Sequence, residues 1–216
     1  MIKLVIFDWD GTLFDSIDVI CDCMLNASEA AGVAKREPED IKEIIGLGLV
    51  EAIAKVWPHE TREKQDLVIE NYKHLFMKGD YEAPLAYPGV MDVLNHLQSS
   101  KVMMAVATGK SRRGLNRMML ETDTGAYFQA TRCADETKSK PDPLMLQELL
   151  DELGVAAKEA VMVGDTEYDL MMAKAIGMAS IGVSYGAHDK LRLLECDPIV
   201  VLDDFSKLIA VIEGEL

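Results

Sequence analysis

No stretch of the chain is long and apolar enough to cross a membrane. The longest clean apolar runs, such as Leu4-Val5-Ile6-Phe7 and Val102 to Ala107, fall far short of the ~20 residues that a helical span needs. No secretory leader is expected either, because the N-terminal segment carries only Lys3 and meets Asp8 before an apolar signal core can form. Cysteine is scarce. Cys21, Cys23, Cys133 and Cys196 are too few for a disulfide scaffold, and Cys21-Asp22-Cys23 lacks both the redox CxxC spacing and that of common zinc sites. Plain reduced thiols and a cytoplasmic location are the expectation. Basic residues are outnumbered, 22 Lys plus Arg against 37 Asp plus Glu, for a formal net charge of −15. Such a surface repels phosphate backbones, so nucleic acid and anionic membranes are excluded as partners. Internal repeats and low-complexity segments are also missing. The 216 residues suffice for a sizeable core without staples, in one or two domains.

Short, continuous apolar runs punctuate the chain at Lys3–Phe7, Val102–Ala107, Ala160–Val163, Met178–Val183 and Ile199–Leu202, with a weaker one near Phe128–Thr131. Continuous rather than alternating apolarity marks strands covered on both faces, hence a parallel sheet between helices. Helical spacing separates the runs. Leu144, Leu146, Leu149, Leu150 and Leu153 lie within 141–153, which Gly154 terminates, and 111–120, 167–176, 187–195 and 204–213 read alike. Alternation from Val102 onward is the pattern of a doubly wound α/β domain.

The segment before Val102 departs from this alternation, because it holds no convincing strand after the first. Three apolar faces recur at helical spacing: Ile17, Ile20, Cys21, Met24, Ala27 and Ala31; Leu49, Ala52, Ile53, Val56 and Trp57; and Val68, Tyr72, Leu75 and Phe76. Residues 16–82 are therefore expected to form an inserted all-helical cap domain. A proline-bearing return path, 83–89, leads back into a core domain of 1–15 and 83–216.

Four clusters that carry chemistry follow strands. Asp8 and Asp10 leave the first strand at the sheet edge where ligands bind in open α/β folds. Two carboxylates so placed repel, and a hard divalent cation relieves the repulsion. Gly11-Thr12 then gives a tight turn with backbone N–H groups. Gly164-Asp165-Thr166-Glu167-Tyr168-Asp169 follows another buried strand. There Asp165 reads as a metal ligand, and Thr166 and Glu167 read as helix-capping residues. Thr108-Gly109-Lys110-Ser111 combines a hydroxyl, a glycine and a helix start into an anion site without P-loop spacing. Lys110 is open between that site and a surface charge, and Arg112 and Arg113 read as surface charges. In Lys138-Ser139-Lys140-Pro141-Asp142-Pro143, Pro141 suits the first helical position and Lys140 lies beside the sheet edge, able to neutralise a phosphate or hold a carboxylate ionised. Together the clusters supply carboxylates, hydroxyl, glycine N–H groups and lysine, the mixture that phosphoryl transfer asks for.

The ordered set Phe7-Asp8-Trp9-Asp10-Gly11-Thr12-Leu13, Thr108, Lys140-Pro141 and Gly164 to Asp169 resembles motifs I to IV of the haloacid dehalogenase superfamily, in its phosphoglycolate phosphatase-like group with a C1-type helical cap. The resemblance spans the whole chain. It implies a Rossmann-like core, Asp8 as nucleophile and Asp10 as general acid and then base. It further implies Mg²⁺ held by Asp8, the Asp10 carbonyl and Asp165 with Asp169 in support. Phosphate would be held by Gly11, Thr108, Gly109 and Lys140, with Lys140 also paired to Asp8. The substrate would be a small phosphorylated metabolite and the enzyme a monomer or homodimer. Haloacid dehalogenases proper lack the second aspartate of the first motif, so Asp10 favours phosphate chemistry. Phosphoglycolate phosphatases often read Thr-Asn-Lys where this chain has Thr108-Gly109-Lys110, a departure that loosens the tie to phosphoglycolate. A β-phosphoglucomutase-type phosphotransferase and an inorganic pyrophosphatase are the alternatives on the same scaffold. A signalling receiver module has no place for the helical insertion.

Three further readings concern residues outside the motifs. The loop Gly46-Leu47-Gly48 either reaches the catalytic face or is a plain glycine turn. Met103-Met104, Met118-Met119 and Met171-Met172 read as core filling. His59, His74, His96 and His188 read as surface or packing residues.

Overall fold

The computed structural model describes residues 2–78 and 83–214. Six parallel strands form one sheet: β1 (Leu4–Phe7), β2 (Met103–Thr108), β3 (Ala130–Cys133), β4 (Ala160–Gly164), β5 (Ala179–Val183) and β6 (Val200–Leu202). Their spatial order is β3-β2-β1-β4-β5-β6. The chain winds outward from β1 to β3, returns to the other side of β1 and winds outward again to β6. The reversal between β1 and β4 is the switch point, where a crevice opens at the carboxyl ends of the strands. Phe7 pairs in register with Val106 on one side and Val163 on the other, so the ends of β1, β2 and β4 lie level.

Both sheet faces are covered, as the continuous apolar runs imply. Along β1, Val5 and Phe7 join one core, with α5 (Val90–Ser99) and α6 (Arg112–Glu121) packed over it; Leu4 and Ile6 join the other, with α7 (Leu144–Leu153) and α8 (Glu167–Lys174). This is the two-residue period of a strand buried on each side. The sheet side is completed by α9 (Lys190–Leu194) and α10 (Leu208–Glu213).

Between β1 and α5 lie α1 (Ile17–Ala31), α2 (Pro38–Lys42), α3 (Leu49–Val56) and α4 (Arg62–Lys78). Their apolar faces bury Ile20, Met24, Ile41, Ile53, Trp57 and Val68 in a cluster of their own. Trp57 Nε1 donates to Ala34 O at 2.7 Å, so the indole closes the bundle without an unpaired donor. The expected boundary at 82, like the chain limits 1 and 216, lies outside the described residues.

Each of the six strands expected from sequence is present, with ends shifted by one or two residues. Three details differ. First, α5 was not anticipated, although Val90, Val93, Leu94 and Leu97 are its buried face. Second, α7 begins at Leu144 rather than Pro141. Asp142 N donates to Ser139 O and Asp142 Oδ1 accepts from Leu144 N, so 139–143 is a turn that precedes the helix. Third, Met171 is not core filling, since it is 46% exposed on the outer face of α8. His188 agrees with its reading as a packing residue: it is buried, with its ring edge against Tyr168 and its Nδ1 accepting from Glu167 N at 3.1 Å.

Candidate active site

Asp8 leaves β1 at the switch point and is 1% exposed. Lys140 arrives from the loop after β3, is equally buried, and places Nζ 2.7 Å from Asp8 Oδ1 and 2.7 Å from Asp169 Oδ1. The second oxygen of Asp8, Oδ2, is buried with no hydrogen-bond partner among the described residues. Asp165, from the end of β4, accepts from Thr12 Oγ1 at 2.8 Å and from Ala187 N at 2.7 Å. Asp169 Oδ2 accepts from Thr166 Oγ1 at 2.7 Å and from Thr166 N. Asp169 thus caps α8 and anchors Lys140 at once, and Thr166 has the capping role read from sequence.

Ligand oxygens of Asp8, Asp165 and Asp169 all lie within 4.8 Å of one another. Three carboxylates against one ammonium leave an excess of two negative charges in a buried space. Burial pushes the Asp8 carboxyl well above the usual range; Lys140 opposes this and Asp169 and Asp165 add to it. Burial, then Asp169, pushes Asp165 up to about 7. Burial alone would lower the Lys140 ammonium, but the Asp169 and Asp8 carboxylates outweigh it and the group is raised. A divalent cation balances this excess and gives the unpartnered Asp8 oxygen a partner, so the residues fit a metal ion.

Asp10 is also buried but its carboxylate stands outside that cluster. It points toward β2, where Lys110 Nζ lies 2.8 Å from Oδ1, and Ser16 Oγ donates to the same oxygen at 2.5 Å. The sequence left Lys110 open; the structure places it in the site. Ser16 was missed, and its only signal was a hydroxyl residue just before the apolar face of α1. Arg112 pairs instead with Glu136.

The phosphate-seat residues behave differently from one another. Thr108 ends β2, is buried, and accepts from Lys110 N through Oγ1. Gly109 sits beneath the helical segment: a Cβ there would stand 2.5 Å from Leu47 O and 2.6 Å from Gly46 O. The loop Gly46-Leu47-Gly48 therefore does reach the catalytic face, and Gly48 N donates to Ser139 Oγ at 2.7 Å. Gly11 departs from expectation. Its N–H donates to Phe14 O at 3.0 Å, so it is committed to the turn rather than free for a phosphate. Its φ is +76°, and a Cβ would come 2.3 Å from Asp165 Oδ2, so glycine is required for Asp165 to approach.

Other contacts hold the helical segment down. Tyr168 OH donates to Glu43 O at 2.6 Å and lies 2.6 Å from Lys55 Nζ. Arg192 bridges Glu43 and Glu167, both at 2.6 Å. Arg117 NH1 donates to the carbonyls of Phe76 and Met77 at the end of α4. Beneath lies a cavity of about 390 Å³, floored by Asp8, Asp10, Gly109 and Lys110 and roofed by α1, α3 and α4.

The family model of haloacid dehalogenase-like hydrolases matches residues 5–183. The chain belongs to this family and is an enzyme, a hydrolase of the phosphatase kind. Among curated relatives, a protein of Dickeya dadantii named "Probable phosphatase IndB" is 34% identical over 97% of this chain and 93% of its own length. A phosphoglycolate phosphatase of Pseudomonas fluorescens is 32% identical over 96% of this chain and 78% of its own. In fold, the chain matches a structure from Haemophilus somnus 129PT, titled a predicted phosphoglycolate phosphatase, with a TM-score of 0.86 at 21% identity over 97% of each chain.

Proposed function

We propose that the protein is a Mg²⁺-dependent phosphatase of small phosphomonoesters, working through an aspartyl-phosphate, with residues 16–82 as a cap domain over a catalytic core domain of 1–15 and 83–216. The observation that carries this reading is a division of labour between neighbouring carboxylates. Asp8 is paired with buried Lys140 and keeps one oxygen unpartnered, whereas Asp10 is held by Lys110 and Ser16. One suits a nucleophile and the other an acid and base.

An oxygen of Asp8 attacks phosphorus as the bond from phosphorus to the ester oxygen breaks. Asp10, acting as the general acid, gives a proton to the departing alkoxide. Ionised Asp10 then takes a proton from water as that water attacks phosphorus, the acyl-phosphate bond breaks, and Asp8 is regenerated. Thr108 and the Gly109 N–H hold phosphoryl oxygens, and Lys140 offsets their charge. Mg²⁺, held by Asp8, Asp165 and the Asp10 carbonyl with Asp169 in support, would supply charge neutralisation on the phosphoryl group. The helical segment over the site would limit the access of bulk water during turnover. Four buried cysteines with no disulfide among them suit a reducing compartment, the cytoplasm.

Phosphoglycolate, for which the Pseudomonas fluorescens relative is named, is the reference substrate. The test is phosphate release from a panel of phosphoglycolate, sugar phosphates, nucleoside monophosphates and pyrophosphate, with and without Mg²⁺. Free phosphate that appears only with Mg²⁺ supports the reading. Interconverting glucose phosphates without release would make the protein a phosphotransferase, and release from pyrophosphate alone a pyrophosphatase.

A further inference from the structure

The cavity above Asp8 and Asp10 is mostly apolar. Ile20, Met24, Ile45, Ile69, Tyr72 and Phe76 wall it, from α1, the loop before α3, and α4. Tyr72 and Phe76 stack on one another with ring centroids 5.6 Å apart and planes 20° from parallel. The pair gives the cavity an aromatic wall.

The charged residues around the cavity are as informative. Two cations line it among the described residues, Lys73 and Lys110. Lys110 is spent on Asp10 at 2.8 Å and lies over the Phe76 ring, 4.9 Å from its centroid. Lys73 lies 3.5 Å from Glu70, its side chain 59% exposed. Glu51 and Asp135, also in the lining, add negative charge. A carboxylate on the leaving alcohol would be taken out of water facing two like charges, with Lys110 spent on Asp10 and Lys73 held at the exposed rim beside Glu70. A polyhydroxylated sugar would lose hydrogen bonds to water against aliphatic walls. A cavity of about 390 Å³ also lies within the range for organic ligands, with room for more than a two-carbon acid.

Building on the phosphatase reading above, we infer that the preferred substrate is the phosphomonoester of an uncharged, largely apolar alcohol that carries a planar ring, seated against the Tyr72–Phe76 stack. Selectivity then comes from the helical segment, while the core handles the phosphoryl group.

The test compares kcat/KM at saturating Mg²⁺ for benzyl phosphate, phosphoglycolate and ribose 5-phosphate, with acetyl phosphate as a probe of the core that asks little of the roof. Benzyl phosphate is expected to lead phosphoglycolate and ribose 5-phosphate by tenfold or more. In Tyr72→Leu the benzyl-to-phosphoglycolate ratio should fall several-fold. A second variant, Ile69→Lys, places a cation in the wall and should move the ratio toward phosphoglycolate. If acetyl phosphate is hydrolysed but phosphoglycolate or ribose 5-phosphate matches or exceeds benzyl phosphate, this inference is overturned and the phosphatase reading stands. If no ester releases phosphate with Mg²⁺, both are overturned.

Discussion

Lys110 and Asp10 meet across the switch-point crevice, Nζ to Oδ1 at 2.8 Å, although a hundred residues separate them in the chain. Both side chains are nearly buried, so the pair is fixed by its surroundings rather than by surface attraction. The consequence is that Asp10 is aimed by a residue from the neighbouring strand, and Lys110 is in turn covered by Phe76. Lys110→Met should therefore lower kcat about 100-fold for every substrate, the scale expected when a catalytic group loses its position. Steady-state kinetics alongside circular dichroism checks this. An unchanged kcat in a folded variant would remove Lys110 from the site.

The buried carboxylates set a pH dependence. Burial raises Asp165 to about 7 and pushes Asp8 upward as well. Raised carboxyls are protonated more readily in the folded chain than in the unfolded one. Their contribution to stability is therefore full below the unfolded carboxyl value of about 4 and is lost as pH rises through about 7. The Tm of metal-free protein should fall between pH 5 and pH 8. A Mg²⁺ ion bound at these carboxylates would displace those protons, so it should raise Tm at pH 8 far more than at pH 5. Asp165→Asn should flatten both effects in thermal melts. An equal Mg²⁺ shift at both pH values would contradict this electrostatic account.

Gly109 measures how closely the helical segment sits on the core. Gly109→Ala puts a methyl group within 2.6 Å of two backbone carbonyl oxygens, and backbone cannot swing aside as a side-chain tip can. The loop 46–48 should lift and admit water. The expected result is a kcat lowered about tenfold or more with Tm little changed, on the principle that closure completes and dries such sites. A Tm loss as large as that of a core cavity would instead mean that the loop is part of the fold's foundation.

Tyr168 gives a milder version of the same test. Tyr168→Phe removes a hydrogen bond to Glu43 O and the contact with Lys55. A net cost of about 1 kcal/mol, or roughly 2–4 °C in Tm, is expected from differential scanning calorimetry. No change would show that the hydroxyl is equally well served by water.

Much of this was legible in the sequence, for reasons that particular residues make plain. Leu4 to Phe7 is buried on both faces, so its apolarity is continuous and the strand declares itself. Asp8, Asp165 and Lys140 follow such strands directly, and a parallel sheet brings strand ends together. The helix α5 carries its signal in Val90, Val93, Leu94 and Leu97, but it follows a proline-glycine turn that masks its start. Lys110 was ambiguous because position after a strand says nothing about where a long side chain points. The role of Gly11 is hidden in the sequence because a glycine in a turn can free an N–H or make room for a neighbour. Only the approach of Asp165, remote in sequence, decides between these. The reach of Gly46 to Gly48 was equally hidden, since it depends on how one layer sits on another.

The account turns on Asp8 as the group that takes the phosphoryl. The most direct measurement is to quench the enzyme in acid during turnover with Mg²⁺, digest it, and locate the phosphoryl adduct by mass spectrometry. The account predicts an acyl-phosphate on the peptide that carries Asp8, lost in Asp8→Asn together with turnover. Phosphate release that persists in a folded Asp8→Asn protein, or an adduct on any other residue, would contradict it.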